Sequence, residues 1–316
     1  MKVLITDHGF PHVNLEESII KKAGFEVCIS QCKTEDDLIS ATNNMHGLIV
    51  QWAPITKRVI ESLNACQCIV RYGIGVDNID LVAAKSKGIT VCNVPDYGIN
   101  EVAEHTVSLA LALQRQLPMI DRRIKNGIWK ITPDSPIIPL DNSVYATAGF
   151  GRIAKAVHRM MSGFGVKSIA YDPFVSKEDM AALNVEKVDI EELFKRADLL
   201  SLHLPLTAQT KHFVGPLQLK QMKPTALLIN TARGGLIDTK ALALNLDQKT
   251  IASAGLDVYE LEPLEKDHPI KNCGNALLTS HVAWYSEASI PRLQRLAAEE
   301  IVRALSGYPV KNPVTI

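Results

Sequence analysis

The stretch that most constrains the fold runs from Val144 to Asp172, VYATAGFGRIAKAVHRMMSGFGVKSIAYD. A short apolar segment leads into Gly149-Phe150-Gly151-Arg152-Ile153-Ala154. Ile153, Ala156, Val157, Met160 and Met161 then recur at helical spacing, and a second apolar run from Val166 to Tyr171 ends at Asp172. The order is strand, glycine turn, helix, strand, with a carboxylate at the tip of the second strand. The first glycine permits a tight turn, and the second lets backbone N–H groups approach a pyrophosphate at the positive end of the helix. Ala154, in the third position, still allows close packing of helix on strand. Asp172 lies 23 residues beyond Gly149, the place from which an acid can bind a ribose diol. The pattern predicts a dinucleotide cradle of Gly149, Gly151, Arg152, Ile153 and Asp172. A glycine turn alone is a weak signal, and the flanking strands and the placed acid give it weight. One feature runs the other way: Tyr145, Ala146, Thr147 and Ala148 are less apolar than a buried parallel strand usually is.

The rest of the chain repeats the alternation. Residues 2–6, 26–30, 47–50, 69–72 and 90–93 read as strands, with helices over 16–23, 35–42, 57–63 and 81–87. A strong helix follows from Asn100, its possible N-cap, to Gln116, where Pro118 stops it. The segment 131–143 carries Pro133, Pro136 and Pro139 and is irregular. After Asp172 come helices over 177–183, 190–197, 217–222 and 239–248, and strands over 185–188, 199–204, 226–230, 251–257 and 276–279. A last helix, 286–305, has Leu293, Leu296, Ala297, Ile301 and Leu305 on one face and Gly307 as its stop. Such alternation predicts an α/β fold of parallel sheets covered on both faces.

Length and charge bound the function. A chain of 316 residues is long enough for two domains. Lys+Arg and Asp+Glu are both 34, which argues against broad attraction to nucleic acid or anionic membranes. The apolar runs fall short of a membrane span, and MKVLITDHGF reads as a first strand rather than a signal peptide. The six cysteines form no CxxC pair and no Cys/His zinc spacing, so no metal site is expected and a reducing, cytoplasmic compartment fits.

Ligands in open α/β sheets sit beyond the carboxyl ends of strands. Those ends carry Tyr72-Gly73-Ile74, Gly149–Ile153, Asp172, His203-Leu204-Pro205, Thr231-Ala232-Arg233-Gly234-Gly235, Asp257 and His281. The Tyr72-Gly73-Ile74 loop can aim backbone N–H groups at an anion or be a plain turn. Arg233 offers a fork of donors suited to a carboxylate. His281 can pass a proton near neutral pH, with Glu262 as a carboxylate partner. His203 is a weaker competitor, because its Pro-bearing loop reads as cofactor lining. His8, His46, His105 and His268 have no such setting.

Three motifs in order, Asn230–Asp238 (NTARGGLID), Gly255–Pro263 (GLDVYELEP) and Ser280–Tyr285 (SHVAWY), resemble the D-isomer-specific 2-hydroxyacid dehydrogenase family. With the glycine turn and Asp172 the resemblance spans nearly the whole chain. Within the family, the ending Trp284-Tyr285-Ser286-Glu287 is most similar to the branch of the C-terminal-binding-protein corepressors, with phosphoglycerate dehydrogenases next. The chain departs from the family pattern at Ala146, where a glycine is usual, and at Ser280, where a proline is common.

The resemblance implies two Rossmann-like domains, a cofactor domain of residues 99–285 inserted into a discontinuous substrate domain of 1–98 and 286–316. It also implies a hinge at the helices near Asn100 and Ser286, and a homodimer built largely on the cofactor domain. By match, Arg233 holds the substrate carboxylate and carbonyl, His281 is the acid/base and Glu262 its partner. The resemblance places NAD along Gly149, Gly151, Arg152, Ile153, Asp172, His203, Pro205, Thr231 and Ala232, with Asp257 on the nicotinamide side. Tyr72, Gly73, Ile74, Arg233 and Trp284 would meet the substrate. The expected function is NAD-dependent reduction of a small 2-oxo acid to a D-2-hydroxy acid, with domain closure excluding water. The alternative is an NAD(H)-gated dimeric scaffold like the corepressors. Those carry a long C-terminal tail whereas this chain stops at Ile316, which favours the enzyme. A second alternative keeps the chemistry and takes 3-phosphoglycerate as substrate.

Overall fold

In the first part of the chain, apolar runs of three or four residues form β1 (Lys2–Ile5), β2 (Glu26–Ile29), β3 (Gly47–Val50), β4 (Cys68–Arg71) and β5 (Thr90–Cys92). Between them lie α1 (Asn14–Lys22), α2 (Glu35–Ala41), α3 (Lys57–Ser62) and α4 (Leu81–Ser86). Side chains fix three of these helix starts. Thr34, Thr56 and Asp80 each accept from the amide three residues on, satisfying a donor that has no partner within the helix. The five strands are parallel in the order β2-β1-β3-β4-β5. The order reverses between β1 and β3, which opens a crevice beyond the carboxyl ends of those two strands.

The computed structural model describes residues 1–133 and 135–314. It divides into Met1–Gly98 with Tyr285–Ile316, and Ile99–Trp284. The second unit opens with α5 (Ile99–Gln114) and α6 (Leu117–Lys125). The first of these begins one residue before Asn100, which therefore lies inside the helix instead of capping it. Pro118 does more than end a helix. Gln116 takes a left-handed φ of 53° between the two helices, and Pro118 sits in the first turn of α6, where its missing N–H costs nothing.

Seven parallel strands follow: β6 (Val144–Ala148), β7 (Lys167–Tyr171), β8 (Glu186–Lys187), β9 (Leu199–Leu202), β10 (Leu227–Asn230), β11 (Ser253–Leu256) and β12 (Ala276–Leu278). Their order is β12-β11-β10-β9-β6-β7-β8. The intervening helices are α7 (Arg152–Ser162), α8 (Lys177–Ala181), α9 (Ile190–Arg196), α10 (Pro216–Gln221) and α11 (Thr239–Asp247). Leu200, Leu202, Leu228, Leu242 and Leu256 are among the residues of its buried core, each worth about 1.5–3 kcal/mol in removal from water. The topological switch falls between β6 and β9, so ligand-binding loops are expected beyond those ends. Both units are thus parallel α/β sheets of the expected class.

The final helix, α12 (Ser289–Leu305), belongs to the first unit. It buries Leu293, Ala297, Ile301 and Leu305, and it lies so close to β3 that a Cβ on Gly47 would stand 2.8 Å from Ile301 Cδ1. Gly307, at φ 77°, ends it. Among the described residues, no helix is long and apolar enough to cross a membrane.

The polar residues of β6 prove to be paired inside the second unit. Tyr145 donates its hydroxyl to Ser201 Oγ at 2.8 Å, and Thr147 Oγ1 meets His158 Nε2 at 3.0 Å. Paired in this way, hydroxyls can occupy a buried strand without the cost of an unmet hydrogen bond. Ala146 sits fully buried in the same strand.

Candidate functional site

The cradle at the end of β6 is shaped by close approach. Gly149 has φ 93°, and a Cβ there would lie 2.5 Å from the backbone oxygen of His203. Only glycine fits, because any side chain would collide with the loop after β9 and sit in the left-handed region. The Gly149 amide donates to Tyr171 O at 2.7 Å, tying the turn to β7. A Cβ on Gly151 would meet nothing within 4 Å, so the space beside the first amides of α7, at Arg152 and Ile153, is open. Asp172 accepts from the amides of Phe150 at 2.8 Å and Phe174 at 2.8 Å, one on each oxygen. Each oxygen keeps a further lone pair for a ligand hydroxyl. A helix N-terminus beside a fixed carboxylate fits the pyrophosphate and ribose of a dinucleotide.

His203 lies at the switch point, with Nε2 2.8 Å from Ser201 Oγ. Burial pushes it down to about 3, with the neighbouring His158 adding to the effect, and burial alone holds His158 at about 4. Both rings are neutral through the physiological range, so neither supplies a proton there. Pro205 closes the same loop, its carbonyl accepting from Thr210 Oγ1 at 2.6 Å.

Beyond β11 and β12 a second cluster forms. His281 Nδ1 lies 2.6 Å from Glu262 Oε2, and Glu262 Oε1 accepts from the Tyr259 amide at 2.9 Å. Burial pushes the Glu262 carboxyl up, but hydrogen bonds from His281 and the Tyr259 amide, with the charges of His281 and Arg233, together hold it below its usual value. His281 itself takes a left-handed φ of 56°, uncommon for a residue with a side chain. Its amide donates to Asp257 O at 2.7 Å. The Asp257 carboxylate, fully buried, accepts from Thr279 Oγ1 at 2.6 Å and from the amides of Val282 at 3.0 Å and Ala283 at 2.9 Å. Asp257 therefore holds the His281 loop in its left-handed form. Trp284 Nε1 closes the loop by donating to His281 O at 2.8 Å. His105, without a setting in the sequence, reaches Thr279 Oγ1 at 3.0 Å.

Arg233 sits in the turn after β10. The Asn230 side chain braces that turn, donating to Arg233 O at 2.9 Å and accepting from the Ala232 amide at 3.0 Å. Thr231 Oγ1 meets Thr106 Oγ1 of α5 at 2.7 Å. Gly234 packs so hard on the next loop that a Cβ would fall 1.8 Å from the Tyr259 carbonyl carbon. The Arg233 turn and the Tyr259–Glu262 turn are in direct contact within one unit.

The remaining sequence candidates lie in the first unit. The side chain of Tyr72 is turned away from the loop: it is 2% exposed, and its hydroxyl donates to buried Glu16 at 2.7 Å. Alternation along β4 carries this ring to the interior, which leaves backbone groups as its loop's contribution. Gly73, at φ 131°, donates its amide to Arg71 O at 2.9 Å, so the expected anion contact rests on the Ile74 amide. At the crevice between β1 and β3, Asp7 accepts from the amides of Gln51 at 3.1 Å, Trp52 at 2.6 Å and Ala53 at 3.1 Å. Gln51 is 3% exposed and takes the Gly9 amide at 2.8 Å, whereas Trp52 is 59% exposed.

A switch-point glycine turn, a carboxylate after the second strand, and an Arg turn packed against the turn of a His–Glu pair mark a dinucleotide-binding α/β unit. Residues 107–283 match the family described as D-isomer specific 2-hydroxyacid dehydrogenase, NAD binding domain. A glyoxylate reductase of Korarchaeum cryptofilum is 35% identical over 293 residues, 92% of this chain and 85% of that protein. The D-3-phosphoglycerate dehydrogenase of Methanocaldococcus jannaschii is 37% identical over 318 residues, covering 100% of this chain but 60% of that protein. The chain thus spans under two thirds of that relative's length. The structure of an Aquifex aeolicus D-lactate dehydrogenase complexed with NAD and lactic acid superposes with a TM-score of 0.89 at 27% identity, covering 96% of each chain. The chain belongs to the D-isomer specific 2-hydroxyacid dehydrogenase family.

Proposed function

We propose that this protein is an NAD-dependent oxidoreductase that reduces a 2-oxo acid to the D-2-hydroxy acid, and the reverse. The observation that carries the reading is the 2.6 Å pair between His281 Nδ1 and Glu262, on a turn packed directly against the Arg233 turn. NADH, when bound, supplies the hydride. Arg233 takes the substrate carboxylate through charge-assisted hydrogen bonds. With Nδ1 engaged by Glu262, His281 donates its proton from Nε2 to the keto oxygen, and the carboxylate of Glu262 fixes the orientation of the ring that does so. The backbone of Gly73 and Ile74 is expected at the substrate carboxylate, and Trp284, three residues beyond His281, is proposed as an apolar wall beside it. The cytoplasm is the proposed setting, consistent with six free thiols.

Cofactor choice follows from Asp172. A carboxylate there accepts from both ribose hydroxyls and repels a 2′-phosphate, and Pro173-Phe174-Val175-Ser176 offers no arginine to offset it. The wild type is expected to prefer NADH over NADPH by about 10²-fold in kcat/KM, roughly 2.7 kcal/mol, and Asp172→Ala to lose most of that preference. Equal efficiency with both cofactors in the wild type would refute the assignment.

Substrate choice is proposed from the crevice of the first unit. The family's phosphoglycerate members usually place an arginine where Gln51 stands, and here that side chain is neutral, buried and spent on the Gly9 amide. A dianionic phosphate would keep only Arg71, at the end of β4 beside Gly73, and distant lysines to offset its lost hydration, whereas the exposed ring of Trp52 suits an apolar tail. An uncharged, medium or large 2-oxo acid such as 4-methylthio-2-oxobutanoate or phenylpyruvate is the proposed substrate class. Its kcat/KM is expected to exceed that of 3-phosphohydroxypyruvate. A tenfold advantage for the phosphorylated acid, about 1.4 kcal/mol, would reverse this reading in favour of the alternative.

We further propose a homodimer through the cofactor-binding unit. Trp129 and Ile131, just after α6, are 83% and 91% exposed, with Ile124 and Ile128 beside them half exposed, an apolar concentration of the kind that marks an interface. Sedimentation of the wild type should give a dimer and of Trp129→Ser with Ile131→Ser a monomer. A monomeric wild type at micromolar concentration would rule the interface out.

A further inference from the structure

Glu260 stands two residues before Glu262 on the same turn and points elsewhere. Its Oε2 accepts from Thr239 Oγ1 at 2.5 Å and from the Thr239 amide at 3.1 Å, and its Oε1 lies 2.7 Å from His212 Nε2. His212 in turn donates its amide to Gly235 O at 2.8 Å, in the Arg233 turn. It does so from a left-handed backbone, φ 52°. The loop before it seals the same spot, since a Cβ on Gly235 would fall 2.9 Å from Leu206 Cδ2.

Behind Glu260 the hydrogen bonds run in one direction. The Ile270 amide donates to His268 Nδ1 at 3.2 Å, so the proton of that buried ring is on Nε2, which faces Thr239 Oγ1 at 3.2 Å. Thr239 therefore accepts from His268 and gives its own hydroxyl proton to Glu260. Burial pushes the Glu260 carboxyl up, but the bonds from Thr239 and His212 and the charge of His212 hold it below its usual value. An ionised acceptor with every donor aimed at it ties three segments together: the Tyr259–Glu262 turn, the start of α11 and the loop that ends at His212.

We propose that Glu260 and His212 form a positioning latch that keeps the Arg233 turn in register with the Glu262–His281 pair. Glu260 lies within the Gly255–Pro263 motif, but the resemblance assigns chemistry there to Glu262 and Asp257, and the side-chain partners of Glu260 are Thr239 and His212. The latch acts because the His212 backbone holds Gly235 while its ring is held by Glu260, and Glu260 shares a rigid turn with Glu262. Loss of the ring contact frees the Gly235 carbonyl to drift, and with it the guanidinium next door, while the acid–base pair stays formed. Substrate binding should therefore weaken more than turnover at saturation. The inference rests on the proposed role of Arg233 in holding the substrate carboxylate.

The test is steady-state reduction of 4-methylthio-2-oxobutanoate at saturating NADH, with thermal melting of each variant. His212→Ala is expected to raise KM for the oxo acid about tenfold with kcat within about threefold, and Glu260→Ala to do the same. His212→Ala keeps both Thr239 bonds to Glu260, so it reports on the latch if Glu260→Ala folds poorly. The double variant should be no worse than the worse single, since both remove one contact. His212→Gln, whose amide can still donate to Glu260, should restore most of the affinity. An unchanged KM in His212→Ala, additive effects in the double variant, or lower melting temperature and kcat with unchanged KM would each overturn the latch. Arg233→Ala is run beside them. If it raises KM while His212→Ala is silent, the latch alone has failed. If it leaves KM unchanged, the reading of Arg233 has failed and the latch falls with it.

Discussion

Replacing His281 by alanine is expected to lower kcat for oxo-acid reduction by about 10²- to 10⁴-fold, the usual worth of a positioned general acid. NADH binding should survive, because the ring contributes nothing to the glycine turn or to Asp172. Glu262→Gln should act on the same step by a different route. It keeps the reach of the side chain and removes the carboxylate that holds Nδ1, so kcat of reduction should fall while NADH binding holds. An unchanged kcat in Glu262→Gln would remove the pair from the mechanism. The lowered carboxyl of Glu262 also has a sign in stability. Its contribution is complete above the ordinary glutamate range and is lost as pH falls through the lower folded value.

The second large effect is expected at Arg233. In its proposed role Arg233 is a charge-assisted, bidentate partner for the substrate carboxylate, so in Arg233→Ala kcat/KM should fall by about 10²- to 10³-fold, some 2.7–4 kcal/mol. Arg233→Lys restores the charge without the planar fork and should recover only part of this. The loss should be specific to the acid. An aldehyde or ketone lacking the carboxylate, turned over slowly by the wild type, should lose much less in either variant. A uniform loss across both kinds of substrate would mean that Arg233 supports the turn rather than the carboxylate.

These residues are legible in the sequence for a physical reason. Strand ends in parallel sheets gather on one side, so charged groups written at those ends must meet. Arg233, Glu262 and His281 follow that rule, and the Glu262–His281 contact spans only 19 positions. The same rule fixes where a loop is and not which way a side chain turns. Tyr72 stands one residue past the end of β4 and points to Glu16, 56 positions away. Gln51 stands one residue past β3 and is spent on Gly9, 42 positions away. Asp257 stands one residue past β11 and takes the amides of Val282 and Ala283, 25 and 26 positions away.

Partnerships across long separations leave no local mark. His105 meets Thr279 across 174 positions, and His212 meets Glu260 across 48. Neither has a spacing that any motif would show. The polar content of β6 is a similar case, since Ser201 and His158, which satisfy Tyr145 and Thr147, come from other elements. Helix α6 escapes because proline reads as a stop, and its use at a helix start depends on the left-handed turn at Gln116.

The central claim, that the His281–Glu262 pair and Arg233 reduce 2-oxo acids with NADH, is tested most directly by following NADH oxidation with a panel of 2-oxo acids. The panel should include 4-methylthio-2-oxobutanoate, phenylpyruvate, glyoxylate and 3-phosphohydroxypyruvate, with chiral analysis of the products. The account predicts turnover with at least one uncharged-tail acid, a D-configured product, and loss of that turnover in His281→Ala. NADH binding without turnover on any of them would contradict it and point to the NAD(H)-gated scaffold, and an L-configured product would contradict the placement of hydride and proton.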